Sequence, residues 1–330
     1  MKHPVRTVAL VVLFAIVFFA AYVRLPYYAV GPGPAREVAP MIDVNDHPRY
    51  DSSGRLIMTT VSWSQVTALQ ALRAWVDPAQ IVVKRDLLFQ PGESAETEQR
   101  RAISQMDQSK IDATSVVLRE LTEYPKHHAD GALIEVTAEG CPAFGELYAG
   151  DLIRSIDGSE VTSAKEADKA IDAVPVDQPI AFTVQAAGQT HDVELTRERC
   201  VQGEKQPLVG ISLVQPFPFP VEISSGDVGG PSAGLMFALG LYDTLTPEDL
   251  TGGRTIAGTG AIGLDGSVGP IGGITDKVVA AERAGASVFL VPEDNMGDLE
   301  GIDTGDMQLI SVASFDDALN ALRDLTANPS

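Results

Sequence analysis

The chain has 330 residues, 45% of them hydrophobic, and a formal net charge of −21 at pH 7. At this length the chain can bury more than one hydrophobic core, and we expect two or three domains. So acidic a chain repels polyanions, and we therefore expect no nucleic-acid partner and no polyanionic substrate.

The N-terminal segment is uniformly apolar. Residues 8–23 are all apolar or aromatic and lie between Arg6 and Arg24. As a helix the uncharged run would span roughly 26 Å, and basic residues before it favour a cytoplasmic N-terminus. The alternative is a cleaved signal peptide, but its one small-x-small site is followed by Pro32. The sequence thus predicts residues 1–28 as a cytoplasmic tail and single-pass transmembrane anchor, with the remainder outside the cytoplasm.

The next segment carries no recognisable chemistry. Residues 29–40 are rich in proline and glycine, which predicts a linker. A strand is predicted at 56–61 and helices at 64–76 and 94–122, from their hydrophobic spacing. We interpret residues 29–125 as a linker and a mixed α/β supporting region.

Residues 126–203 change to short strands. Strands are predicted at 132–137 and 151–156, a helix at 162–174 and a hairpin at 179–196. This order and the stretch GELYAGDLIRSIDGSEV resemble a bacterial PDZ domain. The resemblance implies capture of an extended peptide, often a C-terminus, by strand addition. The alternative is a PDZ fold that serves only as a spacer.

Two cysteines, Cys141 and Cys200, precede the last part of the chain. In an exported protein one disulfide between them is a reasonable expectation. Two free buried thiols remain the alternative.

Residues 204–330 contain a serine on a glycine- and proline-rich turn, Ser232 in GGPSAG. Residues 235–242 after it are apolar on every face, which predicts a buried helix. The first amides of that helix would point to where an oxyanion forms, so Ser232 is a candidate nucleophile. Alternatively, Ser232 only caps the helix.

Few side chains in this part of the chain could act as the base for Ser232. Residues 206–330 contain no histidine, no cysteine and one lysine, Lys277. Helical spacing over 274–285 places Lys277 at the border of an apolar stripe. Burial there would lower the pKa of the amine and make it a base near neutral pH. The alternative is a lysine that snorkels to solvent.

Nucleotide and metal sites are not predicted. Gly258, Gly260 and Gly263 formally match a dinucleotide fingerprint, but the following residues cannot open a helix and Asp265-Gly266 predicts a hairpin turn. No lysine is followed by serine or threonine, and no histidines have zinc-site spacing. We expect no cofactor, no metal and no nucleotide.

Three segments together resemble the proteolytic domain of Lon proteases: GGPSAG, TGAIGLDGSVGPIGGITDKVVAAERAG and FLVPEDN. The resemblance implies Ser232 as nucleophile, Lys277 as general base and Thr259 as the residue that holds the lysine amine. With the predicted anchor and PDZ domain, the chain is similar to the membrane-anchored YlbL-type PDZ/Lon proteins of bacteria. It departs from ATP-dependent Lon in lacking the unfolding module, and from many Lon enzymes in having Gly229-Gly230 where they carry an acid.

The predicted fold class is α+β, with an N-terminal transmembrane helix, a small β-rich PDZ domain and a Lon-type α/β proteolytic domain. The predicted function is an ATP-independent serine endopeptidase of the bacterial cell membrane. It would cleave extracytoplasmic peptides or proteins presented by the PDZ domain. The alternatives are a catalytically inactive PDZ/Lon-like adaptor and, from the weak glycine match, a nucleotide-binding enzyme. Whether the protein assembles into rings, as Lon domains often do, is left open.

Overall fold

The computed structural model describes residues 4–45, 47–77, 79–89, 94–186, 188–200 and 206–327, with only the backbone for residues 4–7 and 9. The α-helices of these residues are α1 Pro4–Tyr22, α2 Ala68–Val76, α3 Ala95–Leu121, α4 Ala164–Ala173, α5 Gly234–Leu245, α6 Ile274–Arg283 and α7 Phe315–Ala327. The strands are β1 Arg24–Glu37, β2 Ile42–Val44, β3 Arg55–Thr67, β4 Ile81–Lys84, β5 Ala132–Thr137, β6 Leu152–Ile156, β7 Ser159–Glu160, β8 Pro179–Ala186, β9 Gln189–Thr196, β10 Ile211–Val214, β11 Val221–Ile223, β12 Thr255–Gly258, β13 Ala261–Ile262, β14 Val268–Gly269, β15 Val288–Pro292 and β16 Gln308–Val312.

The first sheet has six strands in the order β16-β15-β12-β3-β1-β4. Strands β16, β15, β12 and β3 are mutually parallel, whereas β1 is antiparallel to both β3 and β4. Parallel strands need both faces covered, and this sheet has a hydrophobic core on each. Side chains of α3, α5 and α7 build one core, and side chains of α6 build the other.

Strand β1 replaces the linker predicted at residues 29–40, and that prediction is wrong. Prolines disfavour the middle of a sheet because they cannot donate to the ladder. Strand β4 pairs only with residues 27–30 of β1, so Pro32 and Pro34 lie beyond it, where β1 has a single neighbour. A register shift between Pro32 and Ala35 accommodates them. The glycines and prolines therefore mark an irregular strand rather than a linker.

The second sheet has the order β10-β5-β6-β8-β9, with β7 paired to β6. Its own hydrophobic core includes residues of α4, and the predicted 179–196 hairpin forms from β8 and β9. Ala187, in the predicted turn of that hairpin, is outside the described residues. Cys141 and Cys200 form a disulfide beside this sheet, which decides between the two predicted states of the cysteines.

Helix α1 occupies the position of the predicted membrane anchor. Its side chains from Val8 onward are mostly exposed, and it contacts α2. Within the described part of the chain, however, no helix meets the combined length and hydropathy required of a membrane span. By this criterion the predicted N-terminal transmembrane helix, and the placement at the cell membrane built on it, are wrong.

The second sheet is inserted into the chain between two parts of one core. Val117 of α3 and Ile223 of β11 belong to the same hydrophobic cluster, although β5 to β10 lie between them in sequence. The supporting region predicted at 29–125 thus supplies β1, β3, β4 and α3 to the first sheet and its core. The boundary predicted at 203/204 lies outside the described residues, and β10, which follows it, pairs with β5.

Candidate active site

Ser232 lies on a tight turn that leads into a buried helix. Pro231–Ala233 form a 3₁₀ turn, and α5 begins at the next residue, Gly234. Gly230 before the turn has φ 89°, a left-handed conformation that glycine adopts without steric cost. Most of α5 is fully buried, which fixes the helix axis. The first backbone amides of the turn and helix therefore surround Ser232; that of Gly234 donates to the Pro231 carbonyl, and that of Leu235 donates to the Gly260 carbonyl at 3.1 Å.

Helix α3 holds this turn from the side. Gly230 N–H donates to the Ala102 carbonyl at 2.7 Å, and Ser109 Oγ donates to the Pro231 carbonyl at 3.0 Å. The contact is close, because a Cβ atom added at Gly229 would lie 2.8 Å from Ala102 Cβ. An acidic side chain cannot occupy Gly229 without moving α3.

Lys277 is buried on α6, as the sequence predicts. Ile274, Val278 and Ala281 of the same helix belong to the core on the α6 face of the first sheet. Lys277 is only 3% exposed, and burial lowers the pKa of its amine from 10.5 to about 7. Desolvation is the cause, since the charged ammonium loses its hydration in the core. Near neutral pH a large fraction of this amine is uncharged and able to accept a proton.

Thr259 joins the lysine to the serine turn. Lys277 Nζ donates to Thr259 Oγ1 at 2.9 Å, and Thr259 Oγ1 donates to the Ser232 carbonyl at 2.8 Å. The threonine proton is committed to the carbonyl, so the threonine can only accept from the amine. The Gly260 amide donates to the same Ser232 carbonyl at 2.9 Å. Thus the residue after β12 connects both candidate residues through its hydroxyl group.

Ser232 and Lys277 line one cleft of about 510 Å³. Its walls come from β3, from Ala102 and Ile103 of α3, and from the turn that precedes Ser232. An ion pair of 2.9 Å between Arg36 and Asp227 lies at its rim. Among the hydrogen bonds of the described residues, none joins Ser232 Oγ directly to the Lys277 amine. The cleft therefore brings together Ser232 and Lys277, and Thr259 connects the two through its hydrogen bonds to the Lys277 amine and the Ser232 carbonyl.

The glycine run at 258–263 forms a hairpin, not a dinucleotide-binding turn. Strands β13 and β14 pair antiparallel around Asp265-Gly266, and Gly266 has φ 85°. Within the described ranges, no cluster of three or more histidine, cysteine, aspartate or glutamate side chains could hold a metal ion.

The sequence predicts helix α3 but not its contact with the turn that carries Ser232. Ala102, Ser109 and Ala113 are small residues seven and four positions apart, so they share one helix face. Such a stripe of small residues permits close approach of another backbone. It was the available signal that α3 packs against the serine turn.

Comparison with known proteins identifies the last part of the chain. A family model of the Lon protease (S16) C-terminal proteolytic domain matches residues 221–324. Lon protease 2 of Herpetosiphon aurantiacus is 40% identical over 87 residues, which are 26% of this chain and 10% of that protein. The Lon protease of Rickettsia typhi is 38% identical over 103 residues, which are 30% of this chain and 13% of that protein. The chain thus spans only about a tenth of the length of the curated relatives it matches.

Solved structures similar to about a quarter of the chain are PDZ domains. The crystal structure of the PDZ domain of an SdrC-like protein from Listeria innocua has a TM-score of 0.23 and 27% sequence identity. It covers 26% of this chain and 93% of that domain. The corresponding domain from Listeria monocytogenes has a TM-score of 0.24 and 26% identity, and it covers 26% of this chain and 88% of that domain.

The turn of Ser232, helix α6 and the cleft between them all lie within or against the matched residues. Residues 221–324 are thus similar to the C-terminal proteolytic domain of Lon proteases.

Proposed function

We propose that the protein is an ATP-independent serine endopeptidase that uses Ser232 and Lys277 as a catalytic dyad. One observation supports this proposal above all: the Lys277 amine is buried, has a pKa of about 7 and shares a cleft with Ser232. Serine needs a base that is uncharged at working pH, and a lysine with its ordinary pKa is not. No phosphate-binding lysine motif occurs in the sequence, so we assign no ATP-driven step.

In the proposed reaction the uncharged Lys277 amine takes the Ser232 hydroxyl proton as Oγ attacks the scissile carbonyl carbon. Backbone amides of the turn that carries Ser232 would stabilise the resulting oxyanion. The ammonium then gives its proton to the leaving amine as the peptide C–N bond breaks, leaving an acyl-enzyme. The restored amine takes a proton from water as the water oxygen attacks the ester, and the ammonium returns that proton to Ser232 Oγ as the ester C–O bond breaks and the acid product leaves. Throughout, Thr259 holds the amine in place.

The second sheet would present the substrate, as in the YlbL-type combination of PDZ and Lon domains. Strand β10 is at the edge of that sheet, and within the described residues no strand pairs with its outer side. An extended peptide, including a C-terminal segment, could add there by backbone hydrogen bonds. The protease domain would then cleave peptides or proteins held close to its cleft.

A peptidase assay tests the dyad. Purified protein should cleave unstructured polypeptides, whereas Ser232→Ala and Lys277→Met should each lower kcat/KM by at least about 10³-fold, because the two residues act as a unit. Lys169→Met is the matched control, since Lys169 is an exposed lysine on α4. It should cleave at the wild-type rate.

The second candidate function is an inactive adaptor that binds peptide termini. The absence of a direct Ser232–Lys277 hydrogen bond favours it, although catalytic hydrogen bonds often tighten only with substrate bound. If the wild-type protein bound peptides but cleaved none, and a serine-directed phosphonate left Ser232 unlabelled, the adaptor function would replace the endopeptidase.

A further inference from the structure

Thr59 on β3 is a polar residue of the cleft that the sequence did not single out. It is 4% exposed, and it lines the cleft that contains Ser232 and Lys277. Among the described residues, its Oγ1 atom is buried without a hydrogen-bond partner. A buried hydroxyl without a partner costs free energy, so a ligand, a water or a transient partner is expected at this position.

The register of the first sheet places Thr59 beside Thr259. Strands β3 and β12 are parallel, and their last paired residues are Met58 and Gly258. The next residue on each strand is a threonine, so the two threonines continue the same register about 4.8 Å apart. Their side chains share a face with Ile57 and Ala257, two positions earlier, which belong to the core on the α6 face. Lys277 reaches the sheet from that same face.

The amine has more donors than Thr259 can accept. An ammonium carries three N–H groups and an uncharged amine two, yet Lys277 Nζ makes one hydrogen bond in the described structure, to Thr259. When Lys277 takes the proton of Ser232, the new N–H lies in the direction of Ser232, and of the two other N–H groups only one has an acceptor, Thr259. The unpartnered hydroxyl of Thr59 lies on the neighbouring strand, one strand spacing from Thr259.

We infer that Thr59 is a second positioning residue for Lys277, whose hydroxyl accepts an N–H of the amine and stabilises the ammonium that forms during catalysis. Together the two threonines occupy two of the amine's three N–H directions. The remaining direction carries the lone pair in the uncharged state and faces Ser232. This inference rests on the proposed function, because it assigns Thr59 a role in the same dyad.

Thr59→Val tests this role, because valine has the same shape and lacks the hydroxyl. Removing an unpartnered buried hydroxyl should leave the fold intact or slightly stabilise it. Loss of an acceptor for the ammonium should lower the plateau of kcat/KM about tenfold, and should shift the pH midpoint of its rise to lower pH by about one unit. Thr59→Ser keeps the hydroxyl and should restore both quantities. Thr255→Val, at the other end of β12, should match the wild type.

A second measurement determines the titration midpoint of the Lys277 amine independently of catalysis. The protein is labelled with ¹³C-lysine, and the Lys277 signal, assigned by its loss in Lys277→Arg, is titrated by NMR in the Ser232→Ala background. Thr59→Val should lower the midpoint of this titration relative to its parent. A midpoint that is unchanged or raised would refute the inference.

The outcomes separate the two proposals. If Lys277→Met abolishes cleavage while Thr59→Val keeps the wild-type pH profile and titration, the dyad stands and Thr59 has no such role. If the wild type cleaves nothing, the proposed function fails, and the NMR titration still decides whether Thr59 contacts the amine.

Discussion

At the scale of single residues, Lys277 is placed where it weakens the fold. A pKa lowered from 10.5 to about 7 corresponds to a destabilisation on the order of 4 kcal/mol when the amine is charged. The surrounding core of α6, which includes Ile274 and Val278, would accommodate an apolar side chain without this penalty. An ionisable group that stays buried although its burial destabilises the folded protein is typical of a catalytic site.

Lys277→Met should therefore stabilise the protein while it abolishes activity. In the unfolded chain the lysine stays protonated up to pH 10.5, and in the folded protein only up to about pH 7. The unfolded state thus binds more protons between these values, so wild-type stability rises with pH across that window. The gain from methionine should be largest below pH 7, on the order of 2–4 kcal/mol, and should vanish towards pH 10.5.

Urea unfolding at pH 6 and pH 9, with Lys169→Met as control, measures this difference. A Lys277→Met protein that is less stable than the wild type at pH 6 would show that the amine is not desolvated.

Ser232 and Lys277 could be singled out from the sequence because few alternatives exist in their half of the chain. The position of this single lysine at the border of an apolar helix stripe is enough to predict that it is buried. Thr59 could not be found in this way, because its significance depends on β3 lying next to β12. Those strands are about 200 positions apart, and no local pattern indicates that they pair.

At the scale of secondary-structure elements, α3 connects the serine turn with the second sheet. Ala102 and Ser109 hold the turn, and Arg101 forms an ion pair of 2.9 Å with Glu139 after β5. About three turns after Arg101 on the same helix, Asp112 is buried beside Glu135 of β5. Burial, followed by the charge of Glu135, raises the pKa of Asp112 to about 7.

This raised pKa predicts that stability is lost with increasing pH at the contact between α3 and β5. The folded protein holds the Asp112 proton up to about pH 7 and the unfolded chain only up to 3.8, so this contribution is complete below pH 3.8 and is lost as pH rises through 7. Asp112→Asn, which carries no charge, should be more stable than the wild type by about 2 kcal/mol at pH 8. The gain should shrink at pH 5.

Denaturant unfolding at both pH values measures this gain. Asp107→Asn is the control, since Asp107 lies on the same helix and pairs with Lys110. If both variants showed the same pH dependence, Asp112 would not share a buried proton with Glu135.

Most helices were predicted well from the sequence, and two extended segments were not. The spacing that predicts 94–122 and 274–285 corresponds closely to α3 and α6. By contrast, β3 continues to Thr67 through residues predicted as helix, and α2 begins only at Ala68. Pairing of β3 with β1 overrides the helical spacing there, since Ser64 and Gln65 are paired residues of the β1–β3 ladder. Local sequence patterns do not indicate which distant strand will pair with a segment.

At the scale of the whole molecule, the order of segments along the chain does not correspond to the way they group into sheets and cores. The sequence divides it into consecutive segments, whereas the structure inserts β5 to β10 between α3 and β11 of a single core. The second sheet has a hydrophobic cluster separate from those of the first sheet, and the disulfide between Cys141 and Cys200 lies beside the second sheet. The family match at residues 221–324 covers only the part of the first core that follows the insertion. The preceding strands and α3 complete the cleft.

The most direct test of the dyad is the rate at which a fluorophosphonate labels Ser232 between pH 5 and pH 9, followed by mass spectrometry. We predict a rate that rises with pH through a midpoint near 7, because the uncharged Lys277 amine must accept the serine proton. Lys277→Met should be labelled far more slowly at every pH. Labelling of Lys277→Met at the wild-type rate, or a wild-type rate without a midpoint in this range, would contradict the account.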